Sequence, residues 1–297
     1  MIQLPVVSKW KAPALFFAER DIVLLSTFIN KYNGKLGLVD NLGSYVLGII
    51  QKIILQFYSY KQVVEIVGDN NSAKALVRSM ADSISSFVLV YDNKNQEEQK
   101  IRHCLYVLDG VKQNLKELSY PIVKTEYISD KDFTLLKKQH DETKNNSISV
   151  RDYLISQLNS YPLIQQNPTA QSIVNYSDWK YKDLSVKCSK DNRYTWNELY
   201  SFLSLNDEQR SFVSFLSQNV HGLSISNIMV DATPENLEPL NSFVYHLIHY
   251  SLLKTCINLF GKDTFQKEVL DNNPNLIYLL TDEELKHIFE KNTSKQR

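Results

Sequence analysis

Glycine and proline are scarce, with 8 of each in 297 residues. Hairpins demand such turn residues about every ten positions, so a many-stranded sheet protein is excluded and helix is the expected element. Neither sign of charge prevails: 33 Lys and Arg balance 33 Asp and Glu. That balance gives no strong nucleic-acid signal and no pull toward an anionic membrane. Cysteine is limited to Cys104, Cys188 and Cys256, far apart and without a second ligand at metal-finger spacing. They read as reduced core residues of a cytoplasmic protein. Long apolar runs are missing too. The most apolar stretch, Leu42 to Tyr58, is broken by Gln51 and Lys52 and falls short of the ~20 residues a membrane-spanning helix needs. The N-terminus lacks the basic start and small-residue cleavage site of a signal peptide. No phosphate-binding loop, dinucleotide fingerprint, H-E-x-x-H or G-x-S-x-G elbow occurs, so the familiar enzyme classes lose sequence support.

What is present is helical periodicity. Apolar residues recur at three and four from Phe16 to Tyr32, from about Leu38 to Val67, from Ala73 to Tyr91 and from Glu97 to Leu118. The spacing predicts an N-terminal helical half over 1–119. Residues 120–194 read as an irregular insertion or linker with short helices, because Pro121, Pro162 and Pro168 interrupt it and "HDETKNNS" reads as a polar loop. Cap-plus-acid pairs at Ser129/Asp132 and Ser149/Asp152 mark short helix starts there. A C-terminal helical half over 195–297 is expected to pack on the first. Its helix starts are "TWNE" at Thr195, "NDEQ" at Asn206, Thr233-Pro234 and "TDEE" at Thr281. The expected fold is all-α, a multi-helix bundle with an irregular, short-helix middle segment.

Three polar stripes stand out on these helices. Arg78 and Asp82 lie four apart, flanked by the small residues Ala75, Ser79, Ala81 and Ser85. Small neighbours permit close helix approach, so this pair is expected to be buried between helices. Arg102, Tyr106, Asp109 and Gln113 form a second stripe, and Arg210, Ser214, Ser217 and His221 a third. Exposed stripes are what amphipathic helices normally show. Convergence would instead make a polar pocket of Arg78, Asp82, Arg102, Tyr106, Ser217 and His221.

Metal binding has little support. His246 and His249 in "YHLIHY" lack an obvious third ligand, and Glu284/His287 is a single E-x-x-H copy where a di-iron site needs two. No cofactor and no metal are expected.

These residues also carry a resemblance. Arg78, Ser79 and Asp82 in an R-S-x-x-[DE] helix, then Arg102 and Tyr106, then Ser217, His221 and Gly222 at a helix end, resemble an uncharacterised bacterial all-helical family. Asp82 stands where Glu is more usual. The resemblance implies a fold and a candidate pocket but no reaction. The helical RNases of the HEPN kind, whose site needs Arg and His within R-x(4-6)-H, are a minor alternative because no such pair occurs here. The expected function is therefore an all-helical interaction or small-ligand-binding protein, with a protein partner or a small molecule bound. An enzyme using the polar Arg/Asp/Tyr/His pocket is the alternative.

Overall fold

A computed structural model describes residues 13–32, 42–220, 234–261 and 263. Every element among them is helical: α1 (Pro13–Tyr32), α2 (Leu42–Gln62), α3 (Asn70–Tyr91), α4 (Gln96–Glu117), α5 (Asp130–Ser160), α6 (Pro162–Gln165), α7 (Ala170–Tyr176), α8 (Trp196–Tyr200), α9 (Asp207–Val220), α10 (Pro234–His246) and α11 (Lys254–Phe260). Two π-helical turns continue them, Val63–Val67 after α2 and Leu247–Leu253 between α10 and α11. The fold is all-α and multi-helical, as the scarcity of turn residues predicts. No described helix is long and apolar enough to cross a membrane.

Two compact units divide the chain. The first is formed by the described residues of Met1–Leu36, Val46–Val88 and Trp196–Arg297. Here α2 buries Val46, Ile50, Ile53, Phe57 and Tyr60, steps of three and four that make one apolar face. α1 buries Ile22, Leu25 and Phe28 and packs on α10 and the following π turn. Burial of each such side chain contributes about 1.5–3 kcal/mol. Gly68, at a φ of 70°, closes the first π turn in a left-handed conformation that only glycine adopts without strain. Asp69 then caps α3: its carboxylate accepts the backbone N–H of Asn71 and Ser72. The "NDEQ" reading holds, since Asn206 Oδ1 accepts from Gln209 N at 2.8 Å and Gln209 Oε1 accepts from Asn206 N at 3.1 Å.

The second unit comprises the described residues of Gly37–Tyr45 and Leu89–Thr195. α4 and α5 pack antiparallel: Asn114 Nδ2 donates to Ser147 Oγ at 3.3 Å, and Leu163 N, just past α5, donates to Glu97 Oε1 at 2.9 Å. In one respect the structure departs from the sequence reading. The run from His140 to Ser147, expected as a loop, lies inside the 31-residue α5. Ser149 is no cap there; its hydroxyl bonds back to the Asn145 carbonyl. Ser129 does cap the helix, accepting from Asp132 N. Short helices and irregular chain follow only from Tyr161 onward, where a single isolated bridge pairs Tyr181 with Arg193.

Candidate functional site

The i, i+4 spacing on α3 brings Arg78 Nη1 onto Asp82 Oδ1. Two residues from distant elements complete the cluster. Arg78 Nε donates to Ser217 Oγ on α9 at 2.8 Å, and Tyr200 Oη on α8 donates to Asp82 Oδ1 at 2.6 Å. The guanidinium also lies over the Tyr200 ring, 4.9 Å from its centroid, a cation-π contact. Burial lowers the Arg78 pKa and raises that of Tyr200 to about 12. The Arg78 side chain is 14% exposed and that of Asp82 33%, so the pair is half-buried rather than sealed between helices. One turn earlier, Lys74 Nζ stands 5.4 Å from the Phe215 ring centroid.

Arg102 and Tyr106 belong to the other unit and have different work. Arg102 Nη1 donates to the carbonyls of Trp179 and Tyr181 at 2.8 and 2.9 Å, and Nη2 to Glu98 Oε1 at 2.9 Å. Its guanidinium carbon stands 3.9 Å from the Tyr181 ring centroid. The Tyr106 ring meets Trp179 edge-on at 5.0 Å, and Trp179 Nε1 donates to Asp109 Oδ2 at 3.2 Å. This second stripe holds the chain from Trp179 to Tyr181 against α4. Ser217 joins Arg78; Arg210 instead pairs with Asp207. His221, Gly222 and the Glu284/His287 pair lie outside the described residues.

The two histidines of "YHLIHY" part company. His246 faces Ser204 O and Gln209 Nε2, whereas His249, within the π turn, puts Nδ1 2.7 Å from Asp21 Oδ2. Asp21 is fully buried, and its Oδ1 accepts from Arg20 Nε and Nη2 at 2.9 and 2.7 Å. Sequence reasoning passed over this Arg20-Asp21-His249 cluster. Only the buried position of two adjacent charged residues in an apolar helix could have signalled it. Among the described residues no group of three His, Cys, Asp or Glu side chains could hold a metal ion.

A different kind of site lies at the far end of α4 and the near end of α5. From Asp109 to Tyr153 no residue is buried. The segment nevertheless carries Tyr120, Val123, Tyr127, Leu135 and Leu136, and Tyr127 is 89% exposed. Compared with known proteins, the chain matches no family model, no curated protein and no solved structure.

Proposed function

We propose that the protein is an all-helical binding protein of the cytoplasm that engages a protein partner through the arm between Asp109 and Tyr153. The observation that carries this is five large apolar side chains held in water by a segment that buries none of its own. Apolar surface exposed along one segment, here the stretch before α5 and the first turns of α5, marks interaction sites. Cys104, Cys188 and Cys256 are all free thiols, in keeping with a reducing compartment, although only Cys104 and Cys256 are core residues and Cys188 is half-buried. The balanced charge gives nucleic acid no advantage as the partner. Resemblance to the bacterial all-helical family belongs to the same proposal. Of its first motif, Arg78 and Asp82 take part in the α3 cluster and Ser79 instead accepts from Gln56 Nε2 at 2.9 Å, while Arg102 and Tyr106 serve the fold of the other unit.

The test is site-specific photocrosslinking in the native host with the crosslinker at Tyr127, and at exposed Asp191 as a control. A discrete protein adduct at position 127 that is lost in a Val123→Ser, Leu135→Ser, Leu136→Ser variant is expected. Equal labelling at the two positions would reject the arm as a binding element.

An enzyme is the second reading, favoured by Asp21 holding His249 as a carboxylate orients a general base. Any turnover found in a substrate screen should then vanish in His249→Gln; turnover that survives this change removes the reading.

A further inference from the structure

Two buried polar atoms stand one helical turn apart on α10 without a hydrogen-bond partner, Oε2 of Glu238 and Nδ2 of Asn241. Their surroundings make the omission costly. Asn241 and Tyr60 are fully buried, and Tyr60 Oη on α2 donates to Asn241 Oδ1 at 2.6 Å. This bond fixes the amide so that its NH2 group points away from Tyr60. Phe57 and Val64, which flank Tyr60, and Leu237 and Leu240, beside Glu238 and Asn241, are buried and apolar and can answer neither atom. Pro239 between the two carries no N–H. Burial, and secondarily the charge of Glu238, push the Tyr60 hydroxyl pKa far up, which places the carboxylate within electrostatic reach of the phenol.

An unmet buried donor or acceptor costs about 1–3 kcal/mol, and a charged one more. Such groups are rare in native folds and each calls for an explanation. The two atoms are complementary in kind: one is an acceptor bearing negative charge, the other a neutral donor. Whatever completes them must offer a donor, best a cation, to Glu238 and an acceptor to Asn241. Lys61, next to Tyr60 in sequence, is engaged with Glu19 and Glu65, and Arg20, on the α1 helix that packs on α10, with Asp21. Glu238 as a residue is half-buried, while its unpartnered Oε2 is itself buried.

We propose that Glu238 and Asn241 form a binding site for a small amino alcohol, whose ammonium group meets the Glu238 carboxylate while its hydroxyl oxygen accepts from Asn241. A carboxylate in place of the hydroxyl would be repelled by Glu238, which disfavours amino acids. Tyr60 is a positioning residue that holds the Asn241 amide in place. The proposal stands independently of the arm and its partner.

The experiment is calorimetric titration and thermal unfolding of the full chain with ethanolamine. Ethylammonium, which lacks the oxygen, and ethanol, which lacks the charge, are the controls. Ethanolamine should bind and raise the unfolding temperature, since a ligand bound only by the folded state stabilises it, and each control should bind at least tenfold more weakly. Glu238→Gln, which keeps the shape and removes the charge, should abolish the shift. Should that variant fail to fold, Glu238→Asp retains the charge one methylene further back and should weaken binding at least tenfold. No shift with ethanolamine, as for a site filled only by water, overturns the proposal. So does an equal response to the three probes, or unchanged binding in the Glu238 variants.

Discussion

Asp21 Oδ2 meets His249 Nδ1 at 2.7 Å across 228 positions of sequence, while its other oxygen takes two donors from the adjacent Arg20. One carboxylate thus ties α1 to the π turn that follows α10. Arg20 and Asp21 side chains are 1% and 0% exposed, so neither has water to fall back on. Asp21→Ala breaks a buried ion pair and should cost about 3–5 kcal/mol, read as a lower urea midpoint at constant slope. His249→Gln, at a side chain 20% exposed, should cost much less.

The Arg78 cluster predicts an intermediate result. Asp82→Ala removes the partner of a largely buried Arg78, but Asp82 itself is a third exposed. The expected loss is about 1.5–3 kcal/mol, the range for hydrogen bonds to charged groups. Tyr200→Phe should cost about 1 kcal/mol. Because both changes act on one hydrogen bond, the double variant should lose less than the sum, and a double-mutant cycle in urea checks it. Strict additivity would deny that Tyr200 and Asp82 are coupled.

Among the described residues six tyrosines, Tyr45, Tyr60, Tyr91, Tyr106, Tyr181 and Tyr200, have pKa values raised by burial from 10.0. Tyr106 and Tyr200 rise to about 12. Ionisation is thus easier in the unfolded chain than in the folded one. The stabilisation is complete below pH 10 and is lost as pH climbs through the folded values, so stability should fall between about pH 10 and 12. Phenolate absorbance should show these rings titrating late and together with unfolding. Six normal tyrosine titrations in a folded protein would contradict the burial.

Gly48 on α2 and Gly110 on α4 sit inside helices with nothing within 4 Å of the place where a Cβ would go. Alanine there reduces the freedom of the unfolded chain and meets no obstacle. Each of Gly48→Ala and Gly110→Ala should raise stability by about 0.5–1 kcal/mol, seen in thermal or urea unfolding.

Much of this architecture is legible in sequence where packing writes it there. α3 begins three residues before its expected start and ends where expected, and α4 is off by one residue at each end, because each buries an apolar stripe. Arg78 and Asp82 are readable from their i, i+4 spacing. Tyr200 is not, since it arrives from 118 residues away and nothing in its own neighbourhood announces the contact. His249 escapes for a further reason. A π turn is wound more loosely than 3.6 residues per turn, so a periodicity count carried past Leu247 goes out of phase. α5 misleads in the opposite sense. Over its first half no residue is buried, so there is no apolar stripe to detect, and Asp, Asn and Ser in "HDETKNNS" mimic a loop.

At 31 residues α5 is about 46 Å long, and its first buried side chain is Leu154. With Asn114 opposite Ser147, roughly its first four turns run past the end of α4. Isolated helices of fewer than about 12–15 residues are marginal in water, so those turns persist as the outgrowth of a segment anchored elsewhere. The Ser129 cap and the Lys138-Glu142 pair add only small local support. Backbone amides along α5 should therefore exchange with deuterium as a gradient, within seconds near Asp130 and orders of magnitude more slowly beyond Leu154. A helix built this way acts as its own clock: the rate at any amide reports its distance from the anchor. A partner seated on Tyr127 and Leu135 would stop it at the fast end first.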